Sequence, residues 1–362
     1  MIDRRSLLAG GAVATAALAG DAVAAAPARL IAAEEGFALA ETQAAQRAWL
    51  AQHPGEEPGL LALMQGFGPE QGRRWAGELV DFGEVREGAM DAAGITTQVL
   101  LHGAPGVQIY GAAEATRLAA LVNDRMAEVK RRAPRRYAPL VTIAPQDPGS
   151  AARELERGMQ ALRLHGALIN SHTKGEYLDY GKFWPIFEAA EALGAPVCLH
   201  PREPATAMLT PYMPHALAGP IWGFAAETGL HALRLIMAGL FDRFPRLQIV
   251  LGHLGEGLPF FIDRIDIRYR VDGAPRRVKL RRLPSDYLRT NFHLTTSGMN
   301  WWPAVQQALV VMGEERVMFA ADWPFEDAVE AAQRFRGMPL RGAGRDRIAF
   351  RNAERLFRID PL

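Results

Sequence analysis

The sequence reads LQIVLGH at residues 247–253, a short and almost continuously apolar run that ends on a histidine. Runs of this kind are typical of parallel strands that are buried on both faces of a sheet. Similar β-rich runs recur along the chain, and helical patterns lie between them. We therefore predict eight strands, at Leu30 to Glu34, Thr97 to His102, Tyr137 to Ala144, Gly166 to Asn170, Pro196 to Pro201, Leu247 to His253, Phe292 to Ser297 and Val317 to Asp322.

The alternation of strands and helices indicates consecutive βαβ units. Eight such units close into a (β/α)8 TIM barrel of the α/β class, and an open doubly wound sheet is the less economical alternative. Glycines stand where helices are expected to stop, at Gly94, Gly194 and Gly313. Two loop-rich insertions, Leu50 to Gly72 after the first strand and Arg202 to Gly223 after the fifth, are expected to form the walls of a site at the carboxyl ends of the strands.

The first 26 residues resemble an export signal. The segment DRRSLL at residues 3–8 precedes a small, apolar, uncharged run, and Ala-x-Ala options follow at residues 22–26. This order is typical of a twin-arginine signal peptide, although an uncleaved, disordered or Ala-rich helical N-terminus would share the composition. We predict a signal at residues 1–26, one barrel domain at residues 27–362 and a periplasmic location. Stable membrane insertion of the mature chain is not expected, because its apolar runs are shorter than the roughly 20 residues of a membrane-spanning helix.

The charge balance argues against a nucleic-acid partner. Lys and Arg number 41 and Asp and Glu number 40, which gives a formal net charge of +1. Proteins that bind nucleic acid usually carry a basic patch or stripe, so we expect a small-molecule substrate instead. The single cysteine, Cys198, excludes an internal disulfide and is interpreted as part of the core lining.

Acidic and imidazole side chains occur at the carboxyl ends of four predicted strands. They are Glu34 and Glu35 after the first strand, His200 after the fifth, His253 and Glu256 after the sixth, and Asp322 after the eighth. In a barrel these ends meet at one rim, where the active sites of such folds lie. Carboxylate and imidazole groups together suit a divalent ion such as Zn²⁺ or Mn²⁺.

Each of these residues also has a purely structural explanation. A single histidine near a strand end is usually hydrogen-bonded within the protein, and Asp322 would also serve as the cap of a helix that begins near Phe325. Glu34 or Glu35 would also fit an exposed, solvated position that has no functional role. Their joint placement at one rim nevertheless favours a functional site.

Five segments of the chain resemble the amidohydrolase-related decarboxylases of the amidohydrolase superfamily, a group that includes γ-resorcylate and 5-carboxyvanillate decarboxylases. The resemblance extends from about Leu30 to Phe357. The segments are Glu34-Glu35-Gly36-Phe37, Asn170-Ser171-His172-Thr173, Leu199-His200-Pro201, Gly252-His253-Leu254-Gly255-Glu256-Gly257-Leu258-Pro259 and Ala321-Asp322-Trp323-Pro324-Phe325-Glu326.

The resemblance implies one divalent metal ion, Mn²⁺ or Zn²⁺ with Mg²⁺ as a further option, held by Glu34, His200 and Asp322. Most relatives carry a histidine two residues after the acid of the first strand, where this chain has Gly36. The 5-carboxyvanillate branch is similar in having a small residue there, so three protein ligands are expected. Asn170 ends the fourth strand, where binuclear relatives place a bridging lysine, and this difference favours a single metal ion.

The activity implied by the resemblance is the non-oxidative decarboxylation of a phenolic acid. Protonation of the ring carbon, helped by an ortho phenolate, allows CO₂ to leave without forming an aryl carbanion. Asp322 is the expected proton donor, with His253 oriented by Glu256 beside it.

The substrate-binding residues expected from the resemblance and from placement near the rim are Arg264, His172 and Arg73. Arg264 would neutralise an anionic group of the substrate, and Arg73 would add a second cation from the first insertion. A surface ion pair with Asp263 or Asp266 is the alternative for Arg264.

Two other functions remain open from the sequence. The same barrel would suit a metal-dependent hydrolase of a lactone or ester, with Asp322 as the base. A non-catalytic periplasmic binder of aromatic acids is the second alternative, since Gly36 supplies no ligand. The resemblance also implies a homodimer or homotetramer.

The export hypothesis predicts that the double substitution Arg4→Lys with Arg5→Lys keeps the protein in the cytoplasm, because lysine lacks the planar guanidinium group of the twin-arginine pair. Cell fractionation with immunoblotting measures the distribution. The matched control is Arg47→Lys, which lies outside the signal and should leave export unchanged. Periplasmic delivery of the double variant would show that the segment is not a twin-arginine signal.

Overall fold

The structure is a computed structural model that describes residues 29–271 and 277–361, so the predicted signal at residues 1–26 lies outside the described residues. Every pair of neighbouring strands within these ranges is parallel. The strands are β1 (Ile31–Phe37), β2 (Thr97–His102), β3 (Tyr137–Pro139), β4 (Val141–Thr142), β5 (Ala167–Asn170), β6 (Val197–His200), β7 (Ile249–Leu251), β8 (Phe292–Thr295) and β9 (Val317–Met318).

Backbone hydrogen bonds join these strands into a ring. β1 to β3 and β4 to β9 pair in chain order. β3 and β4 are halves of one strand, because the backbone between them stays hydrogen-bonded on both sides. The N–H of Leu140 donates to the carbonyl of Leu100 at 2.9 Å, and the N–H of Val141 donates to the carbonyl of Gly166 at 2.7 Å. The N–H of Ala33 in β1 donates to the carbonyl of Phe319, which follows β9, at 2.9 Å. The predicted eight-stranded α/β barrel is therefore confirmed.

Helices separate consecutive strands along the described chain. They are α1 (Ala40–Gln52), α2 (Pro58–Gly66), α3 (Pro69–Val80), α4 (Glu84–Ala93), α5 (Ala112–Arg132), α6 (Pro148–Gln160), α7 (Trp184–Leu193), α8 (Gly223–Met237), α9 (Leu240–Arg243), α10 (Leu258–Val271), α11 (Pro284–Asn291), α12 (Trp302–Met312), α13 (Ala328–Arg336), α14 (Gly342–Asp346) and α15 (Asn352–Phe357). None of the helices within residues 29–271 and 277–361 has the length and apolarity needed to cross a membrane.

Two apolar layers explain why the predicted strands are so uniformly hydrophobic. Alternate strand residues fill the barrel interior, and the C-terminal segment packs against them; this layer is Ile31, Ala33, Val99, Leu101, Ala138, Leu140, Leu168, Cys198, Val250, Met318, Ala353, Phe357 and Ile359. The intervening residues, such as Leu100 and Leu199, pack outward against the helices. Burial of each large apolar side chain contributes about 1.5–3 kcal/mol. Cys198 lines the interior, as the sequence predicted.

The first insertion is helical, so the loop-rich interpretation of Leu50 to Gly72 was wrong. α1 extends to Gln52, and α2 and α3 follow after short connections. Pro58 and Pro69 stand at the starts of α2 and α3. Proline there removes no helical hydrogen bond, because the first N–H groups of a helix have no partner within it. The second insertion contains only short 3₁₀ turns, at Thr206–Met208 and Thr210–His215, before α8 begins.

A buried ion cluster ties the two insertions together. Arg202, which follows β6, lies 2.6 Å from a carboxylate oxygen of Glu57 and 2.5 Å from one of Glu203, and its side chain is fully buried. Gly59 allows this close approach, because a Cβ there would lie 2.6 Å from the Cγ of Glu203. Removing one partner of such a cluster would leave an uncompensated buried charge, at a cost of about 3–5 kcal/mol. The walls above the barrel are therefore fixed to each other.

Several strand and helix ends differ from the prediction. β1 extends to Phe37, whereas regular pairing ends at Leu251 in β7 and at Met318 in β9. The segments that carry His253 and Asp322 are therefore loops that begin inside the predicted strands. Gly94 ends its helix in the left-handed conformation at φ +68° and ψ 28°, as expected, but Gly313 has ψ 157° and is not a left-handed cap.

Candidate active site

A bulge in β1 determines where its two glutamates point. Ala32 pairs with Gln98 and Glu35 pairs with Leu100, so two residues of β1 lie opposite the single residue Val99. An extra residue of this kind interrupts the alternation of side chains along a strand. Ala33 faces the barrel interior, and the bulge allows the next side chain, that of Glu34, to face inward as well. Glu35 then points to the opposite side.

The carboxylate of Glu34 lies inside the barrel among polar groups of other strands. It accepts a hydrogen bond from the hydroxyl of Thr295 in β8. A Cβ at residue 252 would lie 2.5 Å from Oε1 of Glu34, so Gly252 leaves the space that this carboxylate occupies. Burial, with a further contribution from Asp322, raises the pKa of Glu34 to about 7. A negative charge at this point is therefore destabilised unless a cation lies nearby.

His200 at the end of β6 is held in one tautomer by Asn170. The Nδ2 of Asn170 donates to the carbonyl of His102 at 3.2 Å, so its Oδ1 faces the Nδ1 of His200 at 2.9 Å and accepts a hydrogen bond from that ring N–H. The lone pair of His200 then lies on Nε2, where a metal ion would need it. Burial lowers the pKa of His200 to about 4, which keeps the ring neutral. Gln108 fixes this arrangement, because its Oε1 accepts from the N–H of Asn170 at 2.6 Å.

The segment after β7 is a left-handed turn. The φ angles of His253, Leu254, Gly255, Glu256 and Gly257 are +49°, +55°, +88°, +51° and +80°. Residues other than glycine adopt this region at a cost of roughly 1–2 kcal/mol each. The turn brings the Nδ1 of His253 to 2.7 Å from Oε1 of Glu256. It also depends on Gly229 of α8, where a Cβ would lie 2.8 Å from the carbonyl oxygen of Glu256.

His253 lies between two carboxylates. Its Nε2 is 3.6 Å from Oδ2 of Asp322, on the side opposite Glu256. Burial alone would lower the pKa of His253, but the charges of Glu256, Asp322 and Glu34 raise it well above its ordinary value. These carboxylates therefore favour the protonated form of the ring, whose Nε2 faces Asp322.

Asp322 occupies a strained backbone position on a loop held by Glu35. Its φ is +75°, in the left-handed region. The carboxylate of Glu35 accepts hydrogen bonds from the N–H groups of Ala321 at 2.8 Å and of Trp323 at 2.9 Å, on either side of Asp322. Gly298 borders the same loop, because a Cβ there would lie 3.7 Å from Oδ2 of Asp322. The aspartate is thus presented to the barrel rim by a constrained turn.

Little space is left beside Gly36, the position where the resemblance implies a histidine in other members of the group. A Cβ at Gly36 would lie 3.2 Å from Cε2 of Phe325 and 3.4 Å from Cδ2 of Leu79. The N–H of Gly36 is also bound to the carbonyl of Trp323 at 2.8 Å. Side chains of α3 and of the Asp322 loop therefore fill the space that a fourth protein ligand would need.

The three side chains expected to bind substrate differ in their surroundings. His172 is buried, with Nε2 at 3.1 Å from the carbonyl of Glu203 and Nδ1 accepting from the N–H of Gly175 at 3.1 Å. Both of its ring nitrogens are therefore occupied by the protein. Arg73 on α3 and Arg264 on α10 are exposed. No ion pair joins Arg264 to Asp263 or Asp266 in the described part of the chain, and its substrate-binding role stays a prediction.

The donor set fits a divalent metal ion in its chemistry. Two carboxylates and one neutral imidazole are the groups that Mn²⁺ and Zn²⁺ accept, and Glu34 lies in a site where burial disfavours an uncompensated negative charge. Charge interactions link Glu34 and His200 to Asp322, so the three lie in one neighbourhood. Across residues 29–271 and 277–361, no three His, Cys, Asp or Glu side chains are already arranged to hold a metal ion. Binding would therefore require these side chains to draw together.

Sequence reasoning missed the residues that position the site. Asn170 and Gln108 orient His200, Thr295 contacts Glu34, and Glu35 holds the Asp322 loop. Asn170 lies in a segment that had been singled out only for its resemblance to relatives. The adjacent acids at residues 34 and 35 were a usable signal, because two glutamates on one buried strand need different partners.

A family model described as amidohydrolase matches residues 75–359, and the chain therefore belongs to the amidohydrolase family. The curated relatives that it resembles include the γ-resorcylate decarboxylase of a Polaromonas species. That protein is 39% identical over 290 residues, which cover 78% of this chain and 89% of the relative.

The solved structures that resemble the chain are decarboxylases as well. The 5-carboxyvanillate decarboxylase of Sphingomonas paucimobilis is 40% identical with a TM-score of 0.88, covering 92% of this chain and 99% of that one. The 5-carboxyvanillate decarboxylase of Novosphingobium aromaticivorans, complexed with manganese and 4-hydroxy-3-methoxy-5-nitrobenzoic acid, is 35% identical with a TM-score of 0.87, covering 91% and 96%. These findings confirm the barrel and the resemblance to amidohydrolase-related decarboxylases.

The close approach of Gly252 to Glu34 predicts the effect of Gly252→Ala. Residue 252 has φ −66° and ψ 178°, so alanine fits the backbone, but its methyl group would meet the carboxylate at 2.5–2.8 Å. Displacement of Glu34 should lower the affinity for Mn²⁺ by about 10- to 100-fold. Isothermal titration calorimetry of metal-stripped protein measures this affinity.

Gly88→Ala is the matched control, because Gly88 lies in α4 and a Cβ there meets no atom within 4 Å. This variant should bind Mn²⁺ as the wild type does. Unchanged Mn²⁺ affinity in Gly252→Ala would mean that Glu34 is not a ligand.

Proposed function

We propose that the protein is a metal-dependent, non-oxidative decarboxylase of a hydroxylated aromatic carboxylic acid. The observation that carries this proposal is the meeting of Glu34, Asp322 and His253 at the carboxyl rim of the barrel, with neutral His200 beside them. The chain that holds this site is similar over most of its length to γ-resorcylate and 5-carboxyvanillate decarboxylases.

Glu34, Asp322 and the Nε2 of His200 are the proposed ligands of one divalent ion. Mn²⁺ is the ion that we propose, because a similar decarboxylase is complexed with manganese. These three side chains would hold an ion that supplies Lewis-acid chemistry to the substrate. Carboxylate and imidazole donors also accept Zn²⁺, so the choice between the two ions rests on the relatives.

The wall beside the rim suits an aromatic ring. Trp75 of α3 packs edge-to-face on Phe325 with ring centroids 5.4 Å apart, and Phe67 packs on Trp75 at 4.8 Å. The ring of Phe325 lies beside Gly36, two residues after Glu34 in β1. Edge-to-face packing of this kind leaves ring surface for a further aromatic partner. The helical first insertion therefore contributes to the proposed substrate pocket.

The proposed reaction begins with the transfer of a proton from the carboxyl group of Asp322 to the ring carbon that bears the carboxylate. An electron pair of the ring forms the new C–H bond. The ortho phenolate oxygen donates electron density to the ring and becomes a carbonyl oxygen. The bond to the carboxyl carbon then breaks, its electron pair restores the aromatic ring, and CO₂ leaves. His253, 3.6 Å from Asp322 and hydrogen-bonded to Glu256, then passes a proton to Asp322 and takes one from solvent, so that each turnover consumes one solvent proton.

Location and assembly are separate proposals. The twin-arginine pattern supports a periplasmic protein. A homodimer or homotetramer is supported by exposed apolar side chains on α10, namely those of Phe260, Phe261 and Val271. Monomeric proteins rarely expose several large apolar side chains on one surface.

The proposed function predicts that Mn²⁺-loaded protein releases CO₂ from at least one member of a panel of ortho-hydroxybenzoates. In D₂O, one deuterium should replace the lost carboxyl group. Asp322→Asn should lower the rate by about 10²- to 10⁴-fold, the usual contribution of a general acid. Asp263→Asn, a change on the exposed face of α10, is the matched control and should keep the activity.

Absence of CO₂ release from every member of the panel would contradict the proposal. Uptake of solvent oxygen into a ring-opened product would identify a hydrolase instead.

A further inference from the structure

Glu34 and Glu35 are adjacent glutamates that the bulge in β1 directs to opposite sides of the strand. Glu34 faces the barrel interior, whereas Glu35 pairs in register with Leu100, a residue of the outward-facing layer. Glu35 is fully buried, with a relative exposure of 0%. Its side chain makes no ion pair within the described residues, so its two oxygens must be satisfied in another way.

The loop that carries Asp322 satisfies them. Oε1 of Glu35 accepts from the N–H of Ala321 at 2.8 Å and is 3.4 Å from the N–H of Asp322, and Oε2 accepts from the N–H of Trp323 at 2.9 Å. A carboxylate thus binds three successive amides around one residue. A carboxyl group offers two acceptor oxygens to these amides, whereas a glutamine would turn its N–H₂ toward one of the N–H groups.

The bound segment is the one that needs support. Asp322 has φ +75°, a conformation that costs an L-residue of order 1–3 kcal/mol unless the surroundings impose it. The next residue is held from a second direction, because the guanidinium of Arg86 lies over the ring of Trp323 at 4.3 Å from its centroid. Arg86 also donates to the carbonyl of Gly36 at 2.9 Å, which ties β1 to the same assembly.

We propose that Glu35 is a positioning residue that imposes the left-handed backbone of Asp322 and thereby aims its carboxylate at His253 and at the metal ion. This inference rests on the proposed function for the role of Asp322. Glu35 itself touches neither metal nor substrate. It acts through the Ala321–Trp323 backbone, and β1 therefore supplies one acid to the metal and a second acid to the loop that holds the proton donor.

The test compares Glu35→Ala and Glu35→Gln with Asn123→Ala. Asn123 is a matched control, because it is also fully buried and its side chain also binds backbone groups. Its Nδ2 donates to the carbonyl of Thr142 at 2.9 Å, and its Oδ1 accepts from the N–H of Thr142 at 2.8 Å. All three variants should lose thermal stability. Only the Glu35 variants should accelerate amide hydrogen exchange at residues 321–323 and lower Mn²⁺ affinity, by about 10- to 100-fold for Glu35→Ala.

With an active substrate, Glu35→Ala should lower kcat by about 100-fold and change KM little, because a misplaced proton donor affects the transition state more than ground-state binding. Glu35→Gln keeps one acceptor oxygen and should fall between the wild type and Glu35→Ala. It also serves as the test variant if Glu35→Ala does not fold.

The inference is overturned if a folded Glu35 variant keeps wild-type exchange at residues 321–323, or keeps wild-type Mn²⁺ affinity and kcat while losing only the stability that Asn123→Ala loses. Hydrogen exchange and metal affinity do not require turnover. An inactive wild-type protein would therefore refute the proposed function while leaving this test intact.

Discussion

The bulge at Ala33 and Glu34 is the constraint on which the site depends. A regular strand would place Ile31, Ala33 and Glu35 on one face and would turn Glu34 outward. The extra residue opposite Val99 instead directs Glu34 into the barrel and Glu35 to the backbone of the last loop. One irregularity in one strand thus decides which acid is available to a metal ion and which is committed to structure. Bulges recur at barrel rims for this reason.

Strained backbone occurs in both loops that carry the proton-handling groups. His253 lies in a left-handed turn, and Asp322 lies in a left-handed position of its own. Folds retain such conformations where surrounding contacts impose them. Gly229 leaves room for the first loop, and Glu35 binds the second. The barrel therefore supplies a rigid frame. His253 and Asp322 lie in short loops whose conformation is fixed by several contacts, and not on the strands themselves.

The sequence predicted each strand of the barrel because buried parallel strands carry a strong apolar signal. It also predicted the acids and histidines at the rim. The bulge was beyond its reach, since a register shift leaves no mark in composition and simple alternation would have turned Glu35 inward. The helices of the first insertion were missed because the stretch is rich in glycine and proline, and prolines such as Pro58 and Pro69 begin helices there instead of breaking them. Arg73 and Arg264 could not be placed, because their orientation depends on helix packing that no local pattern encodes.

The central claim is that Glu34, His200 and Asp322 share one cation. Diffraction from crystals of the Mn²⁺-loaded protein, recorded at the manganese absorption edge, tests it most directly. A single anomalous peak is expected in direct contact with a carboxylate oxygen of Glu34, the Nε2 of His200 and a carboxylate oxygen of Asp322. A peak elsewhere on the barrel, or one that leaves any of these three side chains out of contact, would contradict the claim.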